Sequence, residues 1–343
     1  MMAEELQDPT QQEWRDLYRA ADTFKQLAPW EWMLDSDIFG VRDPESGEIG
    51  YCCVMGNLGE HFALGLYLGD EGLRGLMRIA EGEFWPPGIG MLFVQHCLMA
   101  SFEDREMLSK RDRDQIKALG LKYRGRNAWP QFRNYTPGYV PWYLSGDEAR
   151  FLILALQQTC EVGQRFRADE GLLDPPVEGQ ILVRSNEHGE WHDTWHTPDL
   201  AEPEPASVPR VDEVRLGRLR QAALPRRGNW ESDCFYSPQG VQDSTDERPY
   251  YPMVCMFVDR ATGMVLPPAL THPEEWRIEY QSRLLMLVEQ MGMVPREIAG
   301  RSPELRGLLA PVAEALGIKL RVVKRLAALD EAREGLLGFL GSM

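Results

Sequence analysis

Four groups of residues have types and spacings that could do chemistry. His188, His192 and His196 recur every four residues beside Trp191 and Trp195; on a helix they would line one face, as in zinc sites of the HExxH kind. Gly189 and Pro198 argue against that helix. On a strand, His192 and His196 would share a face about 13 Å apart at ~3.3 Å per residue, beyond joint ligation at zinc–nitrogen distances of about 2 Å. We therefore expect no metal site there. Asp35 and Asp37, with Glu60 and His61, could supply acid–base pairs, but aspartates at such junctions commonly bond nearby backbone N–H groups instead. Gly56-Asn57-Leu58-Gly59 could form an anion-binding nest, yet no Lys or Arg follows it and no helix clearly begins there. The fourth group is the most unusual in composition. Arg124, Arg126, Trp129, Phe132, Arg133, Tyr135, Tyr139 and Trp142 interleave cations with aromatics between Lys122 and Trp142. Such a run can stack on bases or peptide groups, or it can wrap a sheet with its arginines reaching outward. The binding candidates it supplies are Arg124, Arg126, Trp129, Arg133, Tyr135 and Trp142.

The elements that would position these groups follow from periodicity and punctuation. Helical spacing of Trp14, Leu17, Tyr18, Ala21, Phe24 and Leu27 predicts a helix over Gln11–Leu27, stopped by Pro29. Ile38–Asp43 and Ile49–Met55 flank Pro44-Glu45-Ser46-Gly47 as a hairpin. A strand over Phe62–Leu68, a helix over Asp70–Glu81 and a buried strand over Gly90–Phe102 follow. Prolines 130, 137 and 141 then predict a structured loop over Lys122–Trp142. Ser145 and Glu148 read as a capping box for an apolar helix, and Gln180–Arg184 pairs with Glu190–His196 as a second hairpin. The Pro- and Glu-rich tract reads as an extended linker, giving an α+β domain over 1–197, a linker over 198–210 and a second domain over 211–343. In the second domain, strands are expected at Trp230–Tyr236, Tyr251–Asp259 and Met264–Leu270. A helix capped by Thr271 and Glu274 and stopped by Gly292 comes next, then a strand at Glu297–Ala299. A helix opened by Ser302-Pro303 and closed by Gly317, a strand at Leu320–Val323 and a helix over Asp330–Leu340 complete it.

Composition narrows the function classes. The 343 residues, 43% hydrophobic and 26% charged, suit two ordinary globular domains. A net charge of −16 disfavours nucleic acid as a partner unless the basic residues gather on one face. The alternating run Lys319, Arg321, Lys324 and Arg325 reads as a solvated edge. Six cysteines without a CxxC pair read as reduced core thiols. With no secretory pattern at the start and no long apolar run, the expectation is a cytoplasmic protein with no membrane contact.

The order β-β-β-α-β-α-β-α, carried by W-x-x-D at Trp230–Asp233, F-V-D-R-A-T-G ending at Gly263, G-M-V-P-R-E-I and L-G-I-K-L-R-V-V, resembles the ribonuclease H-like core of integrases and transposases. The resemblance covers about Asn229–Gly341. It implies that Asp233 stands where that superfamily places a metal-binding aspartate on its first strand, and that Asp259 with Thr262-Gly263 matches the next hairpin. The position matching the second catalytic aspartate, near the end of the fourth strand, is Arg301. A cation there should repel the paired metals that phosphodiester cleavage requires. Glu331 could stand for the late helical carboxylate. The whole chain also resembles a group of bacterial two-domain proteins with no established activity, through APWEWMLDSDIFGVRDPESGEIGYCCVMGNLGEHFALGLYLG.

The preferred reading is a non-enzymatic interaction protein with a degenerate ribonuclease H-like domain, no cofactor, and a partner whose identity the sequence leaves open, with protein as the class in view. The alternative is a metal-dependent nuclease or strand-transfer relative using Asp233, Asp259 and Glu331. A further alternative is small-ligand binding between the domains.

Overall fold

In the computed structural model, which describes residues 7–83, 89–201, 210–245 and 247–340 with side chains to Leu336, the pattern after Thr10 forms α1 (Gln11–Leu27). Thr10 and Glu13 cap it reciprocally: the Glu13 N–H donates to Thr10 Oγ1 at 3.2 Å and the Thr10 N–H to Glu13 Oε2 at 2.7 Å. The helix buries Leu17, Tyr18, Ala20, Ala21 and Phe24. Strands β1 (Phe39–Arg42) and β2 (Ile49–Met55) form the expected antiparallel hairpin, its turn held by Asp43, which accepts from the N–H groups of Glu45 and Ser46. Next come β3 (Ala63–Leu68) and α2 (Gly69–Ala80). A Cβ at Gly75 would stand 2.2 Å from the Val94 carbonyl oxygen, so only glycine permits the packing seen there.

The expected strand over Gly90–Phe102 is shorter. Ile89–Phe93 is a 3₁₀ turn and only β4 (Cys97–Glu103) is extended. Helix α3 (Lys110–Ala118), opened by a Ser109–Asp112 capping box, was not among the expected elements. The run expected to be loop contains a seven-residue strand, β5 (Trp129–Tyr135), paired with β4 so that Pro130 faces Phe102. Because β5 lies at the sheet edge, its outer side, which pairs with Trp142 at Asn134, needs no backbone donor at Pro130, and proline is tolerated there. Helix α4 (Gly146–Ala168) begins at the expected Ser145–Glu148 box. Strands β6 (Ile181–Glu187) and β7 (Glu190–His196) close a hairpin whose turn residues His188 and Gly189 have φ of 54° and 92°. The seven strands run β5-β4-β3-β2-β1-β6-β7, antiparallel except between β1 and β6. One face packs against α1 and α4 through Phe24, Phe39, Leu66, Phe102, Leu152 and Leu156. The other forms a smaller core with α2 around Tyr51, Tyr67, Cys97 and Met99.

Residues Met1–Pro137 and Pro141–Ala201 form one compact unit, and Gly138–Val140 with Glu202–Met343 a second. Most of the expected linker, residues 202–209, falls outside the described residues. The second unit opens with α5 (Glu213–Gln221), also absent from the expected elements. Strands β8 (Asn229–Tyr236) and β9 (Met253–Asp259) follow. Strand β10 (Ala269–Thr271) is shorter than the expected Met264–Leu270. The expected Thr271–Glu274 box does not form: Thr271 ends β10, and α6 (Trp276–Met291) starts after Glu275 without a side-chain cap. Gly292, at φ 59°, stops α6 as expected. Strand β11 (Glu297–Gly300) leads to α7 (Pro303–Leu316), capped by Ser302 and closed by Gly317. Strand β12 (Lys319–Val322) and α8 (Ala327–Leu340) complete the unit.

The five strands run β10-β9-β8-β11-β12, with β8, β9 and β10 antiparallel and β8, β11 and β12 parallel. This is the ribonuclease H-like arrangement, and the chain is α+β throughout. Trp230, Cys255 and Phe257 pack with α5, α6 and α7 on one face, whereas Phe235, Val254, Met256 and Val258 pack with Leu326 and Leu329 of α8 on the other. All six cysteines are unpaired, and burial pushes the Cys52 and Cys53 thiols up to about 12, which leaves both as neutral packing groups. No helix among the described residues is long and apolar enough to cross a membrane.

One ion network ties α4 to the β6–β7 hairpin. Arg184, 4% exposed, donates to Gln158 at 3.1 Å, Asp193 at 2.7 Å and Glu161 at 2.5 Å. Burial opposes ionisation of Asp193, but its bonds from Arg165 and Arg184 outweigh that cost and hold the carboxyl below its ordinary range. Replacing Arg184 by Met removes the only buried cation of this network and is expected to cost on the order of 3 kcal/mol. Urea unfolding at neutral pH measures that loss. Because Asp193 has a lowered pKa, the stability it contributes is present above the ordinary carboxylate range and fades on acidification, so Arg184→Met should lose less, relative to wild type, at acid pH.

Candidate functional site

The site is built at the α8 side of the second unit's sheet. In the β8–β11 register Ala299 lies beside Glu231, and carrying the parallel alignment two residues further puts Arg301 next to Asp233. Arg301 Nη1 lies 3.6 Å from Asp233 Oδ2, and its Nη2 donates to Asp330 Oδ1 in a close ion pair. One guanidinium thus bridges an aspartate of the first strand and one of the last helix. Arg301 Nε is buried and has no hydrogen-bond partner among the described residues, so the group is held by its two terminal nitrogens.

Two further side chains complete the cluster. Glu231, 3% exposed, accepts the Leu329 N–H at Oε2, 2.9 Å away, while its Oε1 lies 3.7 Å from Arg260 Nε. A carboxylate in that place satisfies an orphan amide in the first turn of α8 and complements the positive end of the helix. The Arg333 guanidinium sits 4.4 Å from the centroid of the Phe235 ring. Asp233 also accepts the Cys234 N–H at 3.0 Å. Its pKa is nonetheless raised, because burial outweighs the opposing fields of Arg301 and Arg333.

The three residues of the alternative nuclease reading, Asp233, Asp259 and Glu331, are not brought together. Trp230 faces Asp259 in the β8–β9 register and Asp233 faces Met256, an odd separation that puts Asp233 and Asp259 on opposite faces of the sheet. Asp259 Oδ1 is occupied by its own turn: it accepts the N–H groups of Ala261 and Thr262 at 3.1 and 3.0 Å and the Thr262 hydroxyl at 3.0 Å. Glu331 is exposed, and the helical carboxylate that reaches the cluster is its neighbour Asp330. Sequence reasoning overlooked both Asp330 and Glu231. The signals were present: Glu231 is two residues from Asp233 and so shares its strand face, and Asp330 sits one position after the buried Leu329.

The candidates of the Arg/aromatic run are dispersed over β5 and its flanks. Arg133 forms a fork on Asp112 at 2.9 and 2.6 Å. Burial opposes ionisation of Asp112, but the Arg133 contact and two Ser109 bonds overcome it, so its pKa is lowered. Tyr135 packs against the smaller core, and Trp142 meets Tyr143 edge-on at 5.2 Å. Arg126 lies 3.8 Å from Asp104 at the surface. Arg124 and Trp129 line a hollow beside α3. Tyr139 belongs to the second unit, where it donates to Glu274 at 2.8 Å. Among the described residues, no group of three or more His, Cys, Asp or Glu side chains is disposed to hold a metal ion. His192 and His196 lie on β7, and His188 occupies the hairpin turn.

Residues 14–184 match the family model described as a domain of unknown function (DUF7309), and residues 215–337 match a second, also described as a domain of unknown function (DUF6930). No curated protein matches the sequence. Among solved structures the chain is similar to the Mos1 transposase paired-end complex with left transposon end, at 14% identity and a TM-score of 0.20, over 52% of this chain and 54% of that one. That likeness is too slight to bear on the site; the strand order alone supports the ribonuclease H-like assignment.

Removing the Arg301 side chain leaves buried Asp233 with only the weaker field of Arg333 to favour its ionised form. Arg301→Ala is expected to destabilise the protein by about 2 kcal/mol at pH 8. A raised carboxyl pKa favours the folded state at low pH and disfavours it as pH rises, so the penalty should shrink toward pH 4 as Asp233 takes up a proton. Thermal unfolding of the variant and wild type at the two pH values measures the difference.

Proposed function

We propose that this chain is a non-catalytic interaction protein in which the ribonuclease H-like unit serves as a folded platform, its metal position closed from within. The observation that carries the reading is Arg301, paired with Asp233 and Asp330 at once. Two-metal phosphoryl transfer needs several carboxylate oxygens turned toward hard cations about 3.5–4 Å apart. Here the nearest oxygens of two acids are turned toward a guanidinium. The other buried acid of the cluster, Glu231, is engaged by the start of α8. The cluster supports the joint between β8, β11 and α8, and its charges are spent within the protein.

Calorimetric titration of the full chain with Mn²⁺, with Asp233→Asn as control, is expected to show no saturable heat from this cluster, and supercoiled DNA incubated with the protein and Mn²⁺ should remain uncut. Arg301→Asp should create Mn²⁺ binding that wild type lacks. Saturable Mn²⁺ binding by wild type that Asp233→Asn abolishes would show a working metal site and overturn the proposal.

A further inference from the structure

The first unit carries a second charge arrangement, independent of the cluster in the second. Beside α3 lies a hollow of about 510 Å³ bounded by Arg105, Arg113, Lys117, Lys122 and Arg124, with Asp114 as its one acid. In a chain with 53 acidic and 37 basic residues, such a gathering runs against composition. Several other arginines of the unit are engaged by carboxylates, as Arg78 is by Glu83, Arg133 by Asp112, Arg150 by Glu13 and Arg184 by Glu161. Around the hollow, Arg105, Lys117, Lys122 and Arg124 form no ion pair among the described residues, and Arg113 donates to the Leu108 carbonyl. Four cations at one concavity with no carboxylate partner among the described residues raise the local potential for an anion.

The wall is aromatic. Trp129 and Tyr123 line the hollow with ring centroids 5.9 Å apart, and the Arg105 guanidinium lies 5.8 Å from the Trp129 centroid. Buried Ile116 and half-buried Leu121 add apolar surface. Flat apolar surface beside a cationic rim suits a ligand with a planar ring at one end and a multiply charged anion at the other. The volume falls within the ~300–1,000 Å³ of small-molecule sites. A long polyanion would extend from this patch onto a protein whose net charge is −16, which disfavours it.

We propose that this hollow is a binding site for a free nucleoside diphosphate, the ring against Trp129 and the phosphates among Lys117, Lys122 and Arg124. Calorimetric titration of the full chain compares adenosine diphosphate with its two halves, adenosine and inorganic pyrophosphate, and with a thymidine dodecamer. The expected result is one site for adenosine diphosphate with a Kd of tens of micromolar, roughly −6 kcal/mol, and binding of each half weaker by at least about tenfold. Charge reversal of exposed side chains, Lys117→Glu with Arg124→Glu, should weaken the diphosphate by at least about tenfold while the melting temperature stays near that of wild type. Trp129→Leu should weaken the diphosphate and leave pyrophosphate unchanged, a split that a merely structural tryptophan would not produce. No diphosphate binding below ~1 mM would overturn the proposal. So would pyrophosphate binding as tightly as the diphosphate, or the dodecamer binding more tightly than either.

Discussion

A buried carboxylate must find a positive partner or take up a proton, and in the second unit Asp233 meets that constraint through Arg301. The pairing follows from the sheet itself. Parallel alignment of β8 with β11 sets the two residues side by side, and α8, packed over the same face through Leu326 and Leu329, brings Asp330 to the far side of the guanidinium. Glu231, on the same face of β8, fixes the start of α8 by accepting the Leu329 N–H. Position of the helix, orientation of the arginine and ionisation of the aspartate are therefore one coupled arrangement.

Much of the fold was legible because its signals are local. Capping boxes at Ser145, the Ser302-Pro303 start and the glycine stops at 292 and 317 act within a turn of the chain, and all appear in the structure. The elements that escaped were those whose stabilisation is tertiary. Helices α3 and α5 are short and highly charged, and each buries only two residues, Asp112 with Ile116 and Leu216 with Leu219. So few apolar positions leave almost no helical period to read. Strand β5 was hidden by its proline, which is a reliable breaker in a sheet interior and harmless on an edge. The supposed cap at Thr271 failed for the opposite reason: its text fits a capping box, but Thr271 is committed to pairing with Met253.

The site was legible in its decisive residue and not in its membership. Arg301 could be placed because β11 is a short strand bounded by clear punctuation. The acids around it depend on facing. Nothing local tells that Trp230, and not Asp233, stands opposite Asp259, yet that register alone separates the two aspartates across the sheet. On α8, starting the helix at Asp330 instead of Ala327 loses Leu326 and Leu329, the residues that set its phase. Without them Glu331 and Asp330 are indistinguishable. With them, only Asp330 reaches the arginine.

The most direct examination of the proposed closure by Arg301 is crystallographic. Crystals of the full chain soaked in Mn²⁺ and measured at the manganese absorption edge should give no anomalous peak within coordination distance of Asp233, with the Arg301 guanidinium still between Asp233 and Asp330. A peak bound by the oxygens of Asp233 and Asp330, with Arg301 swung aside, would contradict the account.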